Sequence, residues 1–221
     1  MGIRSYIFVS INIQPTDLPG VAARTNPMNG TTNLIEKNDS ILILIDAQNA
    51  FFNKMPHDQR KVALDRICWL TDVARWGEIP IIVTAEELAE QFLSAKLLNH
   101  LPKDQHIFDK QVFGLADQED IMKAVEQTGR KTAVLAGLET DVCVMHSALG
   151  LLDRGYRVVV ISDAVGTSEP NQELGLNRMA QAGAIISNTK GIFYEWLRTV
   201  AEVDRFHEEL PHMRERAGFT L

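Results

Sequence analysis

Three observations predict an α/β fold of three layers, with a six-stranded, mostly parallel sheet carrying helices on both faces. Short apolar runs alternate with longer amphipathic segments along the chain, the order expected of strand-helix-strand units. Several of those runs are apolar at every position, Ile41 to Ile45 and Ala133 to Ala136 among them, as strands buried on both faces require. With 221 residues, 45% of them hydrophobic, and no internal repeat, the chain can bury one full core.

The strands are expected at Ile41–Asp46, Pro80–Thr84, His106–Asp109, Thr132–Ala136, Arg157–Ser162 and Ala184–Ser187. Helical spacing places helices at Asp58–Trp76, Asp117–Thr128, Asp141–Arg154, Asn171–Ala182 and from Thr189 to about Glu209. Gly137 is read as the break after the fourth strand, and Thr140 or Asp141 as the cap of the helix that follows. Residues 1–38, rich in Pro, Gly, Asn and Thr, form an N-terminal arm ahead of a domain spanning 39–221. Within the arm, Phe8 to Ile13 alternates like a strand able to pair with a sheet edge or a neighbouring subunit, and reads equally well as a frayed terminus.

In sheets of this kind reactive groups gather beyond the carboxyl ends of the strands, where strand order reverses. Asp46, Lys110 and Cys143 each sit at or just past such an end. Cys143 falls in the first turn of its helix, where unpaired backbone N–H groups and the dipole favour a thiolate. Taken alone, a cysteine there is more often a small apolar filler, since free cysteines are usually buried and inert. Asp46 closes a wholly apolar strand, so desolvation raises its proton affinity unless a cation opposes it. Lys110 is the available cation, expected to hold Asp46 ionised and to favour the thiolate. Each of the two has an ordinary reading as well, Asp46 as a turn cap and Lys110 as a solvated surface lysine.

Three motifs change those odds. They are Ile41-Leu42-Ile43-Leu44-Ile45-Asp46-Ala47-Gln48 with Phe51 and Phe52 behind, Phe108-Asp109-Lys110-Gln111-Val112-Phe113-Gly114, and Gly137 to Val144. In order and spacing the chain resembles the isochorismatase-like superfamily of cysteine hydrolases over residues 40 to 200, closest to non-metal members of uncertain substrate. The resemblance implies a Rossmann-like, isochorismatase-like hydrolase fold with Asp46, Lys110 and Cys143 as the catalytic triad. It also implies a cis peptide between Leu138 and Glu139, an oxyanion site built from the backbone N–H groups of Glu139 and Cys143, and a homo-oligomer. Gln48, Phe52 and Phe113 are expected to shape a pocket for a small-molecule substrate.

The activity implied is cleavage of a small amide-type C–N bond through a thioester on Cys143, an amidohydrolase reaction. The alternative is a member that keeps the fold as a binding or assembly protein with little turnover. True isochorismate hydrolases carry glycine where this chain has Cys143, so the thiol favours amide-type substrates. Nicotinamidases place metal-binding Asp and His residues soon after the second strand, whereas Thr84 to Gln91 holds no histidine. No metal and no cofactor is therefore expected. His146, one helical turn after Cys143, is expected on a similar side.

Composition narrows the partners and the compartment. A net charge of -7 without a long basic run argues against a nucleic-acid surface. Cys68 and Cys143 lie on separate predicted helices, which indicates neither a disulfide framework nor a zinc cluster and fits a reducing cytoplasm. Tyr6 to Ile13 is apolar but short, contains Asn12 and lacks a small-residue cleavage site, so neither a signal peptide nor a membrane span is expected.

Overall fold

Six strands define the architecture: β1 (Ser40–Ile45), β2 (Ile81–Glu86), β3 (Ile107–Lys110), β4 (Thr132–Leu138), β5 (Arg157–Gly166) and β6 (Ile185–Ser187). The computed structural model describes residues 33–88, 92–170 and 172–213. The strands form one sheet in the order β3-β2-β1-β4-β5-β6, and every neighbouring pair is parallel. The expected α/β class holds, with a sheet that is wholly parallel among the described strands. From β1 the chain steps outward through β2 and β3, then returns to lay β4 on the other side of β1 and continues to β6. Strand order thus reverses between β1 and β4, which opens a crevice beyond their carboxyl ends.

Helices α1 (Asn49–Phe52), α2 (His57–Trp76), α3 (Ala95–Leu98), α4 (Glu119–Gln127), α5 (Met145–Asp153), α6 (Gln172–Ala182), α7 (Thr189–Leu197) and α8 (Val200–Glu209) cover the sheet. The alternation of β1 assigns them to faces. Leu42 and Leu44 pack with Ile67, Leu70 and Val73 of α2, with Phe193 and Trp196 of α7, and with Phe206 of α8. Ile41, Ile43 and Ile45 pack on the opposite face with Ile121 and Val125 of α4, with Ala148 and Leu151 of α5, and with Met179 of α6. Every residue of β1 and of β4 is buried, as expected of strands covered on both sides.

Several boundaries differ from the sequence reading. Strand β4 does not stop at Gly137 but runs through it to Leu138. Gly137 pairs with Ile45 at a φ of +133°, and a Cβ there would lie 1.9 Å from the Ile45 carbonyl oxygen. Glycine is thus required by the close approach of two strands. The caps proposed at Thr140 and Asp141 are absent: the helical stretch opens at Glu139 without a side-chain cap, and Thr140–Val144 winds as a π-turn before α5 begins. The helix expected from Thr189 to Glu209 is two helices. Arg198 at φ +66° ends α7, and the Thr199 side chain accepts from the Glu202 backbone N–H to start α8. Thr199-Val200-Ala201-Glu202 carries the Thr and Glu spacing of a capping box, a helix-start signal that periodicity alone passed over. The strand expected at Phe8–Ile13 and most of the proposed arm lie outside the described residues.

Candidate active site

Strand ends bring the site together. Asp46 follows β1 at a φ of +46°, a backbone region aspartate tolerates better than most side chains, and its N–H donates to the Thr84 carbonyl at 3.1 Å. Lys110 ends β3, and Glu86, which ends β2, is its register partner. Cys143 lies in the π-turn just beyond β4. The peptide bond Leu138–Glu139 is cis.

The three sequence candidates meet around one ammonium. Lys110 Nζ stands 3.0 Å from Asp46 Oδ2, with neither side chain reached by solvent. The same Nζ donates to Cys143 Sγ at 3.7 Å and to the Val112 carbonyl at 2.5 Å. Thr84 Oγ1 donates to Asp46 Oδ1 at 2.9 Å, so both carboxylate oxygens are held.

A fourth side chain, passed over in the sequence reading, joins them. The Cys143 thiol donates to Glu86 Oε2 at 3.4 Å, and that oxygen lies 3.8 Å from Lys110 Nζ. Like Asp46, Glu86 is an acid closing an apolar strand, and that was the signal available in the sequence. Expecting β2 to end at Thr84 hid it. Gln48 holds Glu86 from below: its Oε1 accepts from the Glu86 N–H and its Nε2 donates to the Glu86 carbonyl, each at 2.8 Å. Gln48 is itself buried, its side chain bonds the Glu86 backbone, and its own N–H donates to the Asp46 carbonyl at 2.7 Å.

Glu86 opens onto a cavity of about 420 Å³ whose wall Glu87, Lys110, Gln111, Val112 and Phe113 complete. Phe113 lines this cavity, half-exposed and edge-on to His146 with ring centroids 6.1 Å apart. Phe52 does not. It is buried in the hydrophobic cluster with Phe51, Met55 and Leu93, a correction to its expected place on the pocket wall. Both phenylalanines of this short helix are buried in the same cluster, a packing that their adjacency in sequence does not announce.

The protonation pattern also departs from the sequence reading. Burial raises the Asp46 carboxyl above its usual value of 3.8, against the opposing pull of Lys110 and of hydrogen bonds from Thr84 and Cys143. Burial likewise pushes the Cys143 thiol well up; Asp46 adds to the shift and Lys110 opposes it. The expectation of a ready-made thiolate is corrected: Cys143 is only 3% exposed, and removal from water outweighs one ammonium that is already paired. The arrangement stores a thiol beside a carboxylate of increased basicity. Attack by the sulfur then requires transfer of its proton as the new bond forms.

Donor atoms of Asp46, Glu86 and Cys143 lie within 4.8 Å of one another, a set that a cation can share. The Lys110 ammonium already stands against both acids, supplying the positive charge that such a set attracts. Elsewhere His100 Nδ1 is 2.7 Å from Asp72 Oδ2, beside α2 and away from this cluster.

The Isochorismatase domain matches residues 40–191, from the first strand of the sheet into α7. The chain belongs to the isochorismatase family. Among its relatives is the probable hydrolase YcaC of Escherichia coli, 30% identical over 164 residues, which are 73% of this chain and 79% of that protein. The structure of YcaC from Pseudomonas aeruginosa, with hexane-2,5-diol and covalent acrylamide, is 28% identical with a TM-score of 0.72, covering 83% of this chain and 95% of that one. The crystal structure of E. coli YcaC, an octameric hydrolase of unknown specificity, gives the same identity and TM-score over 84% and 95%. The family is hydrolytic and its fold is the one described above. Among the described residues, no helix is long and apolar enough to cross a membrane.

Proposed function

We propose that this isochorismatase-family chain is a cysteine hydrolase that cleaves a small amide-type C–N bond, with Asp46, Lys110 and Cys143 as its catalytic residues. The reading is carried by the Lys110 ammonium, 3.0 Å from Asp46 and 3.7 Å from the Cys143 sulfur, in a cluster whose Glu86 lines a cavity. As the sulfur attacks the carbonyl carbon, its proton passes to Asp46, whose raised proton affinity suits it to the task. The carbonyl oxygen becomes an oxyanion, held by the backbone N–H groups of Glu139 and Cys143, each worth roughly 3 to 4 kcal/mol. Asp46 then gives the proton to the departing amine. Water cleaves the thioester, releasing the acid and restoring the thiol. Covalent acrylamide in the P. aeruginosa protein supports a reactive nucleophile in this fold. An octameric relative supports a homo-oligomer here.

The test is ammonia release from a panel of small amides, ureides and carbamoyl compounds, run beside Cys143→Ala. Substitution should lower any observed rate by roughly 1000-fold or more; an unchanged rate would remove Cys143 from the chemistry. One observation favours a second reading, a binding or assembly protein without turnover: the sulfur is nearly sealed and its thiol is held protonated. Silence across the panel, together with a Cys143 that iodoacetamide labels no faster than an ordinary thiol, would select that reading.

A further inference from the structure

Two carboxylates flank one sulfur here, and their surroundings differ. Asp46 is sealed, with both oxygens held by Thr84 and Lys110. Glu86 has a side chain 23% exposed, lines the cavity, and places Oε2 3.4 Å from Cys143 Sγ. Water that hydrolyses an acyl group on the sulfur has to arrive through the cavity, because the Asp46 side of the cluster is closed. Two carboxylates, Glu86 and Glu87, lie on that path, and Glu86 is the one placed against the sulfur, with Oε2 3.4 Å from Sγ. The two Gln48 hydrogen bonds fix the Glu86 backbone, so this acid is placed by a buried amide as well as by its strand.

Resting on the thioester reading above, we infer that the two acids divide the reaction: Asp46 serves acylation and Glu86 is the general base of deacylation. Glu86 Oε2 takes a proton from the attacking water, the hydroxyl oxygen bonds the thioester carbon, and the C–S bond breaks. The proton on Glu86 then passes to the departing sulfur, which regenerates the Cys143 thiol and leaves a carboxylic acid. Atoms and charge balance without any further reactant. Gln48 is a positioning residue in this scheme, its side chain acting through the Glu86 backbone.

p-Nitrophenyl acetate separates the two steps, since released p-nitrophenolate reads acylation and the mass of the intact protein reads the acetyl group held on Cys143. Glu86→Gln should keep the acylation rate within a few-fold, slow deacylation by about 100-fold, and accumulate the acetyl adduct. Gln48→Leu should shift the same way by a smaller factor, and it should add nothing to Glu86→Gln in the double variant. Slower acylation in Glu86→Gln with unchanged deacylation would overturn the division, assigning Glu86 to the thiol proton instead. So would a variant that alters only the substrate concentration needed for half-maximal rate. If wild type and Glu86→Gln both form no adduct that Cys143→Ala abolishes, the thioester reading itself fails and this inference falls with it. An adduct that turns over equally fast in both sinks the role of Glu86 alone.

Discussion

Asp46 and Lys110 form an ion pair that water does not reach, and the cost of burying those charges is offset only while both are present. Lys110→Met is predicted to destabilise the fold by about 3 to 5 kcal/mol at neutral pH, read by urea denaturation. The penalty should shrink on acidification. The folded-state pKa of Asp46 is raised, so its favourable contribution is complete below the unfolded value near 3.8 and is lost as pH climbs through the folded value. A Lys110→Met penalty that does not change with pH would contradict this account of the pair. The same shift governs turnover. The proposed mechanism uses Asp46 as a base, so the acid limb of kcat/KM is predicted to lie above 3.8, the ordinary carboxyl value. A limb at or below that value would mean that Asp46 is not the group being titrated.

At the scale of elements, the end of β4 decides whether the site forms. Gly137 lets β4 pass close beside Ile45 of β1, and the strand then delivers Leu138, the cis bond and the turn that carries Cys143. An added methyl would collide with backbone, which no rotamer change relieves. Gly137→Ala is predicted to cost more than about 4 kcal/mol, seen as loss of soluble protein or a collapsed urea midpoint. A variant melting within a few degrees of wild type would show that the sheet can spread there. A second glycine works beyond the sheet. At Gly175 of α6 a Cβ would stand 3.1 Å from the Asp141 Cα, so α6 packs directly on the π-turn. That turn is therefore held between β4 and α6 rather than by side-chain caps, as the buried, unpartnered Thr140 hydroxyl also shows.

For the molecule as a whole, the sheet order places the carboxyl ends of β1, β2, β3 and the exit of β4 around one crevice, and each contributes one side chain to the cluster. Two separate hydrophobic clusters, one per face, fix the strands whose ends make the site. The wall bearing Phe113 and the Glu87 loop belongs to the surface, where a neighbouring copy can complete a cavity. The homo-oligomer proposed above is tested by sedimentation: a mass several times that of one chain is expected, and a monomer at micromolar concentration would rule it out.

Much of this was readable from the chain alone. Apolar runs of strand length and intervening helical periods are local properties, so they fixed the α/β class, all six strands to within a few residues, and the placing of Asp46, Lys110 and Cys143 at strand ends. Glu86 closes an apolar strand in the sequence, but its place beside Cys143 is set by tertiary structure, since parallel pairing of β2 with β3 and the reach of Gln48 from the loop before α1 are contacts between distant segments. Burial, too, is set by the packed molecule. Helix position and a nearby lysine argued for a thiolate, but the loss of water around Cys143 and Asp46 outweighs both, and desolvation depends on what the whole fold lays over a group rather than on its neighbours in sequence.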